Sequence, residues 1–377
     1  MKNKSFLPSP CWILEEKKLL ANLKIIDYIK QKSGAKILLA LKGYALWKSF
    51  PILKPYLDGC CASGLHEALL ASEEFSKELH TYSPAFKEEE IEEIATLSHH
   101  IVFNSNTQFK QFYPIVKKTN PKISLGLRIN PEFSLSPQEI YNPCGLYSRL
   151  GVTFKNIDEE VIAQCEGLHF HALCEQSAEA LEEVLNAVED KFSNYIKQMK
   201  WINFGGGHHL TKKNYNIEKL ITIIQNFKQK YNIEIYLEPG EAIGWETGDL
   251  HTTVLDIVHN GINIAILDTS AEAHMPDSII MPYRVEVEGA KEAYIKKYTY
   301  RLSGNTCLAG DIMGDYSFDK PLKRGDTIIF KDQMHYTMVK ATTFNGIALP
   351  SIAIRREDNT LEIIRKFSYE DFKNRLS

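Results

Sequence analysis

The sequence predicts an α/β chain: a (β/α)8 TIM-like barrel followed by a second, C-terminal antiparallel β domain. Three observations carry this. Short apolar runs alternate with amphipathic helical stretches from residue 15 onward; the strand-like runs before residue 240 number eight; and after residue 240 the helical period gives way to alternating β-branched segments. Eight βα repeats favour closure into a barrel over an open sheet. At 377 residues there is room for a large barrel and a smaller domain.

The first helix, 15–32, places Leu19, Leu20, Leu23, Ile26 and Ile29 near one face. The first strand, 36–41, reads Lys36-Ile37-Leu38-Leu39-Ala40-Leu41, a continuous apolar run of the kind buried on both faces of a parallel sheet. Seven more follow at 58–62, 79–83, 100–104, 123–129, 167–171, 201–204 and 233–238. Helical segments lie between them at 87–97, 107–118, 156–164, 177–200 and 217–229. The barrel is therefore expected over 15–240 and the β domain over 241–377, with Pro10–Leu14, from within residues 1–14, pairing with the latter as an edge strand. HTTVLDIVHNGINIAILDT, SIIMPYRVEVEG, YTYRLSG, DTIIFKD and MHYTMVKA read as its strands, forming a sandwich or barrel. One irregular stretch, 131–150, interrupts the first domain, and loops of that length tend to be functional.

Composition excludes several classes. A formal net charge of −4, from 44 basic and 48 acidic residues, gives no electrostatic case for nucleic acid. The N-terminus lacks the apolar core of a signal peptide, and no run is long enough to span a membrane. The cysteines number seven, without regular spacing, which reads as reduced thiols in a cytoplasmic protein. Adjacent Cys60-Cys61 suits neither a redox pair nor a zinc knuckle, and no metal is expected.

The chemistry gathers at strand exits, where barrels of this type carry function. Lys42 follows the first strand, His171 ends the sixth, Gly205-Gly206-Gly207 follow the seventh and Glu238 ends the eighth. Together they match the needs of pyridoxal 5'-phosphate (PLP). In an apolar mouth desolvation frees a lysine amine for Schiff-base formation, the role expected of Lys42. Glycines present backbone N–H groups to a phosphate without Cβ obstruction. A buried carboxylate, Glu238, keeps a pyridine nitrogen protonated, and the flat imidazole of His171 lies against the ring face. A carboxylate at that nitrogen points to full carbanion stabilisation, as decarboxylation requires.

The segments ALKGY, GLHFHALCE, NFGGGHHL, LEPGEA, SGNTCLAGD and HYTMVKATTFNG span nearly the whole chain in one order. In that order the chain resembles the PLP decarboxylases built on an alanine-racemase-like barrel: ornithine, arginine, diaminopimelate and carboxynorspermidine decarboxylases. The resemblance implies that Cys307 reaches a partner subunit's site and returns a proton to the carbanion. It also implies that Asp311 contacts the substrate amine and that Tyr336 bonds the PLP phosphate. A homodimer with shared active sites follows.

Departures from the family pattern bear on the substrate. Glu241 stands where relatives place a phosphate-binding arginine, and an anion there suits a cationic part of the substrate instead. With Asp277 and Asp311 it suits a long amino acid carrying several ammonium groups, as carboxynorspermidine or carboxyspermidine does. Diaminopimelate and ornithine are the alternatives. A non-catalytic PLP-binding regulator is the alternative from another class. Retention of Lys42, Glu238 and Cys307, and the long segment after Gly240, count against it.

Overall fold

Eight parallel strands close a barrel within the unit Ala21–Ile243. They are, in order, Lys36–Ala40, Gly59–Ala62, Glu78–Tyr82, His100–Phe103, Ser124–Asn130, Gly167–His169, Trp201–Asn203 and Glu234–Leu237. The computed structural model describes residues 7–136, 138–281 and 283–377. Each strand pairs with its neighbours in sequence, and Tyr236 opposite Lys36 joins the eighth to the first. The predicted strands are all present, each within one or two residues at its ends. The short piece Val152–Thr153 adds a ninth strand beside the fifth.

The helices that return the chain between strands are fixed by side-chain caps. Ser105, Ser177 and Asn216 accept from the N–H three residues on and start Asn106–Thr119, Ala178–Ile196 and Ile217–Tyr231. Ala178–Ile196 buries Leu181, Val184, Leu185, Val188 and Phe192, the stripe its spacing predicts. Glu16–Ser33 buries Leu19, Leu23, Ile26 and Ile29, while Leu20 stays half-buried. Two predicted helices are shorter than expected. Asp158 caps Glu160 and Val161, so the helix expected at 156–164 is one turn, Glu159–Ile162. That expected at 87–97 begins only at Ile91.

Inside the barrel the N-terminal end is filled. Trp201 lies across Gly126 and Gly167, where added Cβ atoms would come within 2.4 and 2.0 Å of its ring. Below it a polar layer closes the base. The Glu78 carboxylate accepts from the Tyr236 hydroxyl at 2.8 Å, His80 at 3.0 Å and the Lys36 ammonium at 3.1 Å. Ligand-capable atoms of Glu78, His80 and His100 lie within 4.8 Å of one another. The two imidazoles stack at 3.9 Å with planes 10° apart, and their Nε2 atoms lie 3.0 and 3.3 Å from the same Glu78 oxygen, Oε1. This layer is a hydrogen-bonded plug.

The second unit comprises the described residues up to Leu20 together with Gly244–Ser377. Its nine-stranded sheet is mixed, not purely antiparallel. Gly248–Asn260 and Ile262–Leu267 form a hairpin turned at Gly261, whose φ of +71° is a glycine conformation. Cys11–Glu15 is not at an edge: it lies between Gly248–Asn260, antiparallel, and Ser351–Arg355, parallel. Tyr298–Ser303 pairs in parallel with Ile262–Leu267 and antiparallel with Ile312–Phe318. Two stretches expected as strands are otherwise. Residues 278–281 and 283–289 contribute part of the helix Asp277–Ile280 and the isolated bridge of Val287 to Phe330; the MHYTMVKA stretch contains the helical turn Thr337–Lys340. Both segments carry alternating β-branched residues but serve as loops, a tertiary override of propensity. No helix in the described residues is long and apolar enough to cross a membrane.

Candidate active site

The C-terminal ends of the first, sixth, seventh and eighth strands converge. Gly43 and Gly240 pack back to back: a Cβ on Gly43 would lie 3.0 Å from the Gly240 Cα. The Ala40 N–H donates to the Pro239 carbonyl at 3.0 Å, so the exits carrying Lys42 and Glu238 are stitched side by side. The Glu238 N–H in turn donates to the Gly205 carbonyl at 2.9 Å, and the Phe170 N–H to that of Asn203 at 3.0 Å.

Glu238 is buried, and polar groups meet both of its oxygens. Asn203 Nδ2 donates to Oε1 at 2.7 Å, and His169 Nε2 lies 3.4 Å from Oε2. Burial acts to raise this carboxyl, but the His169 imidazole and the Lys42 ammonium outweigh it and hold the group below the usual carboxylate range. Glu238 is an anion at neutral pH. His171 is the opposite case. Burial first, then the positive charges of Lys42 and Arg128, push its imidazole well below its ordinary value, so it is neutral. Its Nδ1 accepts the Gly206 N–H at 2.8 Å, which leaves the ring proton on Nε2.

The glycine turn serves close backbone packing more than it offers donors. Gly205 sits at φ +70° and Gly207 at +82°, and Cβ atoms there would meet the carbonyls of Phe170 at 2.5 Å and Leu173 at 2.1 Å. The expectation that all three N–H groups face a phosphate is corrected: Gly205 donates to Asn203 Oδ1 and Gly206 to His171, both at 2.8 Å. The Gly207 N–H carries no hydrogen bond to the described residues. Lys42 is exposed, in place of the apolar mouth expected around it. Its charge is felt by Glu238, His171, Glu67 and Cys61, which places its ammonium at this rim.

Glu241 begins the short helix after Gly240. Ligand-capable atoms of Glu175, His209 and Glu241 lie within 4.8 Å of one another, with Glu175 3.7 Å from His209 Nε2. Burial pushes the Cys174 thiol up to about 11, Glu175 and Glu241 add to this, and Lys42 opposes it. These acids therefore share the electrostatic neighbourhood of Lys42. Glu175 takes a left-handed φ of +52°, an uncommon conformation for a residue with a Cβ. The 131–150 stretch is tied to the same rim. Ser134 Oγ donates to the Ala172 carbonyl at 2.7 Å and Asn104 Nδ2 to that of Arg149 at 2.8 Å.

Sequence reasoning missed Arg128, His169, Asn203, Glu175 and His209. Arg128 donates to the His171 carbonyl at 3.3 Å and lies 4.8 Å over the Tyr82 ring. A charged residue inside an apolar strand was the available signal. Asn203 directly precedes Phe204 and the glycines, and a polar residue closing a buried strand was its signal.

The remaining predicted residues belong to the second unit and cluster in one set of loops there. Cys307 is exposed, and its N–H donates to Asn345 Oδ1 at 2.6 Å. Asp311 is buried. Its oxygens accept from the N–H groups of Ala271 at 2.7 Å and Thr306 at 3.2 Å, and from the Thr306 hydroxyl at 2.6 Å. The substrate contact expected of Asp311 does not fit this placement, which makes it the organiser of the turn carrying Cys307. Asp277 is held by Lys340 through both oxygens at 2.8 Å, so a substrate ammonium there would compete with an existing pair. Tyr336 is half-buried at the start of Thr337–Lys340, with the Lys340 ammonium 5.3 Å over its ring.

The barrel residues fit PLP. Three glycines let the turn pack against the exits of the sixth and eighth strands, a buried anion is placed to hold a protonated ring nitrogen, a neutral imidazole lies beside it, and an amine stands at the rim. A closed parallel barrel with this rim, in a chain that also carries a separate mixed sheet, defines the PLP-dependent decarboxylases. The family model described as "Pyridoxal-dependent decarboxylase, C-terminal sheet domain" matches residues 146–333. A carboxynorspermidine/carboxyspermidine decarboxylase of Campylobacter jejuni is 56% identical, over 98% of each chain. A carboxyaminopropylagmatine decarboxylase of Synechocystis sp. is 45% identical, over 99% of this chain and 96% of that one. Among solved structures, the carboxynorspermidine decarboxylase of Campylobacter jejuni complexed with norspermidine is similar at a TM-score of 0.91 and 54% identity, covering 98% of this chain and 100% of that one. Diaminopimelate decarboxylase of Helicobacter pylori, 18% identical with a TM-score of 0.84, shares the fold. The chain belongs to the carboxynorspermidine/carboxyspermidine decarboxylase family.

Proposed function

We propose that this chain decarboxylates carboxynorspermidine, carboxyspermidine or both, yielding norspermidine or spermidine. The observation that carries the reading is full-length 56% identity to a decarboxylase of that name, joined to the Lys42–Glu238 rim described above. PLP, when bound, supplies the electron sink for the pair left when a carboxylate departs from Cα. Lys42 would hold its aldehyde, Glu238 its ring nitrogen and His171 its ring face, with the Gly207 N–H as the donor the turn offers its phosphate.

Each residue has a task. Glu238, already ionised, accepts a proton-bearing nitrogen without itself giving up a proton. His171 donates only from Nε2, because Nδ1 is occupied by Gly206. Glu241 attracts an ammonium of the substrate, with charge-assisted hydrogen bonds fixing its register. Cys307 of a second copy returns the proton from Sγ to Cα; its exposure on its loop suits that reach. Asp311 orients that loop. The enzyme acts as a homodimer in the cytoplasm, a setting in which its seven cysteines stay unpaired.

The deciding experiment measures carbon dioxide release from carboxynorspermidine, carboxyspermidine, carboxyaminopropylagmatine, diaminopimelate and ornithine. The highest kcat/KM is expected for one of the first two. Preference for ornithine or diaminopimelate would overturn the assignment.

A further inference from the structure

We propose that Asn203 is a positioning residue that locks Glu238 in its anionic form and ties that acid to the glycine turn. This rests on the PLP reading above and extends it to a residue that does not itself touch the cofactor.

Asn203 closes the seventh strand with its side chain fully buried. Its carboxamide is used at both ends: Oδ1 accepts the Gly205 N–H at 2.8 Å, and Nδ2 donates to Glu238 Oε1 at 2.7 Å. The amide cannot be turned over. A backbone N–H must face an oxygen, so the NH2 must face Glu238. A donor at that distance stabilises the ionised carboxylate over the neutral acid. The neighbouring His169 Nε2 lies 3.4 Å from the other oxygen. The bond from Asn203 thus biases a shared proton towards a base held against Glu238, which is what a pyridine nitrogen needs in order to draw electrons.

The other half of the carboxamide sets geometry. Oδ1 pins the Gly205 N–H two residues on, an Asx-type turn. That turn carries Gly205 at φ +70° and brings the Gly206 N–H onto His171 Nδ1 at 2.8 Å. One buried side chain thus sets the acid and the turn that holds the imidazole. An aspartate of the same shape could keep the bond to Gly205. Against Glu238 it would present a second carboxyl, and the two would have to share a proton.

The test uses the PLP-loaded protein and its Asn203→Asp and Asn203→Ala variants, with circular dichroism confirming the fold. Asn203→Asp should hold PLP with a dissociation constant within about 3-fold of wild type, since the turn is kept. Its kcat should fall roughly 10²-fold, and its pH profile should gain an alkaline limb where the shared proton is lost. With PLP labelled at the pyridine nitrogen, its 15N resonance should move towards the unprotonated position. Asn203→Ala, which loses both bonds, should also weaken PLP binding by 10-fold or more. An Asn203→Asp protein with wild-type kcat, pH profile and 15N shift would overturn the proposal. So would an unmoved 15N shift with weakened PLP binding, which confines Asn203 to the turn. Failure of the wild-type protein to bind PLP at all would instead strike the underlying reading.

Discussion

The N–H of Gly206 donates to Nδ1 of His171 at 2.8 Å, and a Cβ on Gly206 would sit 2.6 Å from the Glu238 carbonyl and 3.2 Å from His171 Cε1. One glycine therefore sets the tautomer of the imidazole and permits its closeness to the eighth strand. Gly206→Ala is expected to push His171 from its place and lower kcat/KM on the order of 10²-fold, the scale of a misplacement near 1 Å. Steady-state kinetics with the wild-type substrate checks this. An alanine variant with unchanged kinetics would show that His171 has no fixed position to lose.

Lys42 contributes a charge and an amine, and the two can be separated. Lys42→Ala should abolish turnover and the absorbance of lysine-linked cofactor. Lys42→Arg keeps the positive charge that helps hold Glu238 low, yet offers no nucleophile, and should be as inactive as alanine. Activity retained in the arginine variant would show that charge alone is needed.

The barrel was legible in the sequence because its strands are buried on both faces and read as continuous apolar runs bounded by turns, as in Lys36–Ala40. The residues at strand exits were legible for the same reason: Lys42, His171 and Glu238 are polar groups that interrupt such runs. The supporting layer was not. Asn203 and His169 act through side chains that meet across strands far apart in sequence, and no local pattern states that Asn203 faces Glu238. Period-2 patterning also misled at Thr337–Lys340, where β-branched residues serve a loop. Cys11–Glu15 read as an edge strand because nothing in its own residues announces the parallel partner, Ser351–Arg355, that arrives more than three hundred residues later.

Cys307 and Asp311 lie four residues apart but should fail differently when changed. Cys307→Ala should keep PLP and its spectrum while kcat falls roughly 10²-fold, as expected for loss of a proton donor. Asp311→Ala strands the N–H of Ala271 and both donors of Thr306. The buried Ala271 N–H left unsatisfied costs about 1–3 kcal/mol, so that variant should melt earlier as well as turn over slowly. Calorimetry beside kinetics separates the two. An Asp311→Ala protein of wild-type stability would undo its role as loop organiser.

Glu241 is tested by a split in kinetic constants. Glu241→Gln keeps the shape and removes the charge. A hydrogen bond to a charged group is worth about 1.5–3 kcal/mol, which corresponds to a KM raised roughly 10- to 150-fold for a polycationic substrate, with kcat little changed. An uncharged variant with unaltered KM would place the substrate's ammonium groups elsewhere.

Buried neutral histidines set the acid limit of stability. Burial, the largest cause in each case, pushes His100 down to about 2 and His208 and His274 to about 4. In the unfolded chain histidine titrates near 6.5, so below that pH the unfolded state takes up protons that the folded state refuses. Stability is therefore fully present above about pH 6.5 and is lost as pH falls. At pH 5.5 each of these histidines costs on the order of 1 kcal/mol, a few kcal/mol for the three together. Glu238, held below the carboxylate range, does not contribute to this slope, because its stabilisation is lost only where an unfolded glutamate would protonate, near pH 4.3 and below. Urea unfolding should show a clearly lower midpoint at pH 5.5 than at pH 7.5. His274→Gln should flatten that dependence, since its Nδ1 partner, the Thr269 hydroxyl at 2.9 Å, can still be met by an amide. Equal midpoints at the two pH values would mean that these imidazoles are protonated in the folded chain.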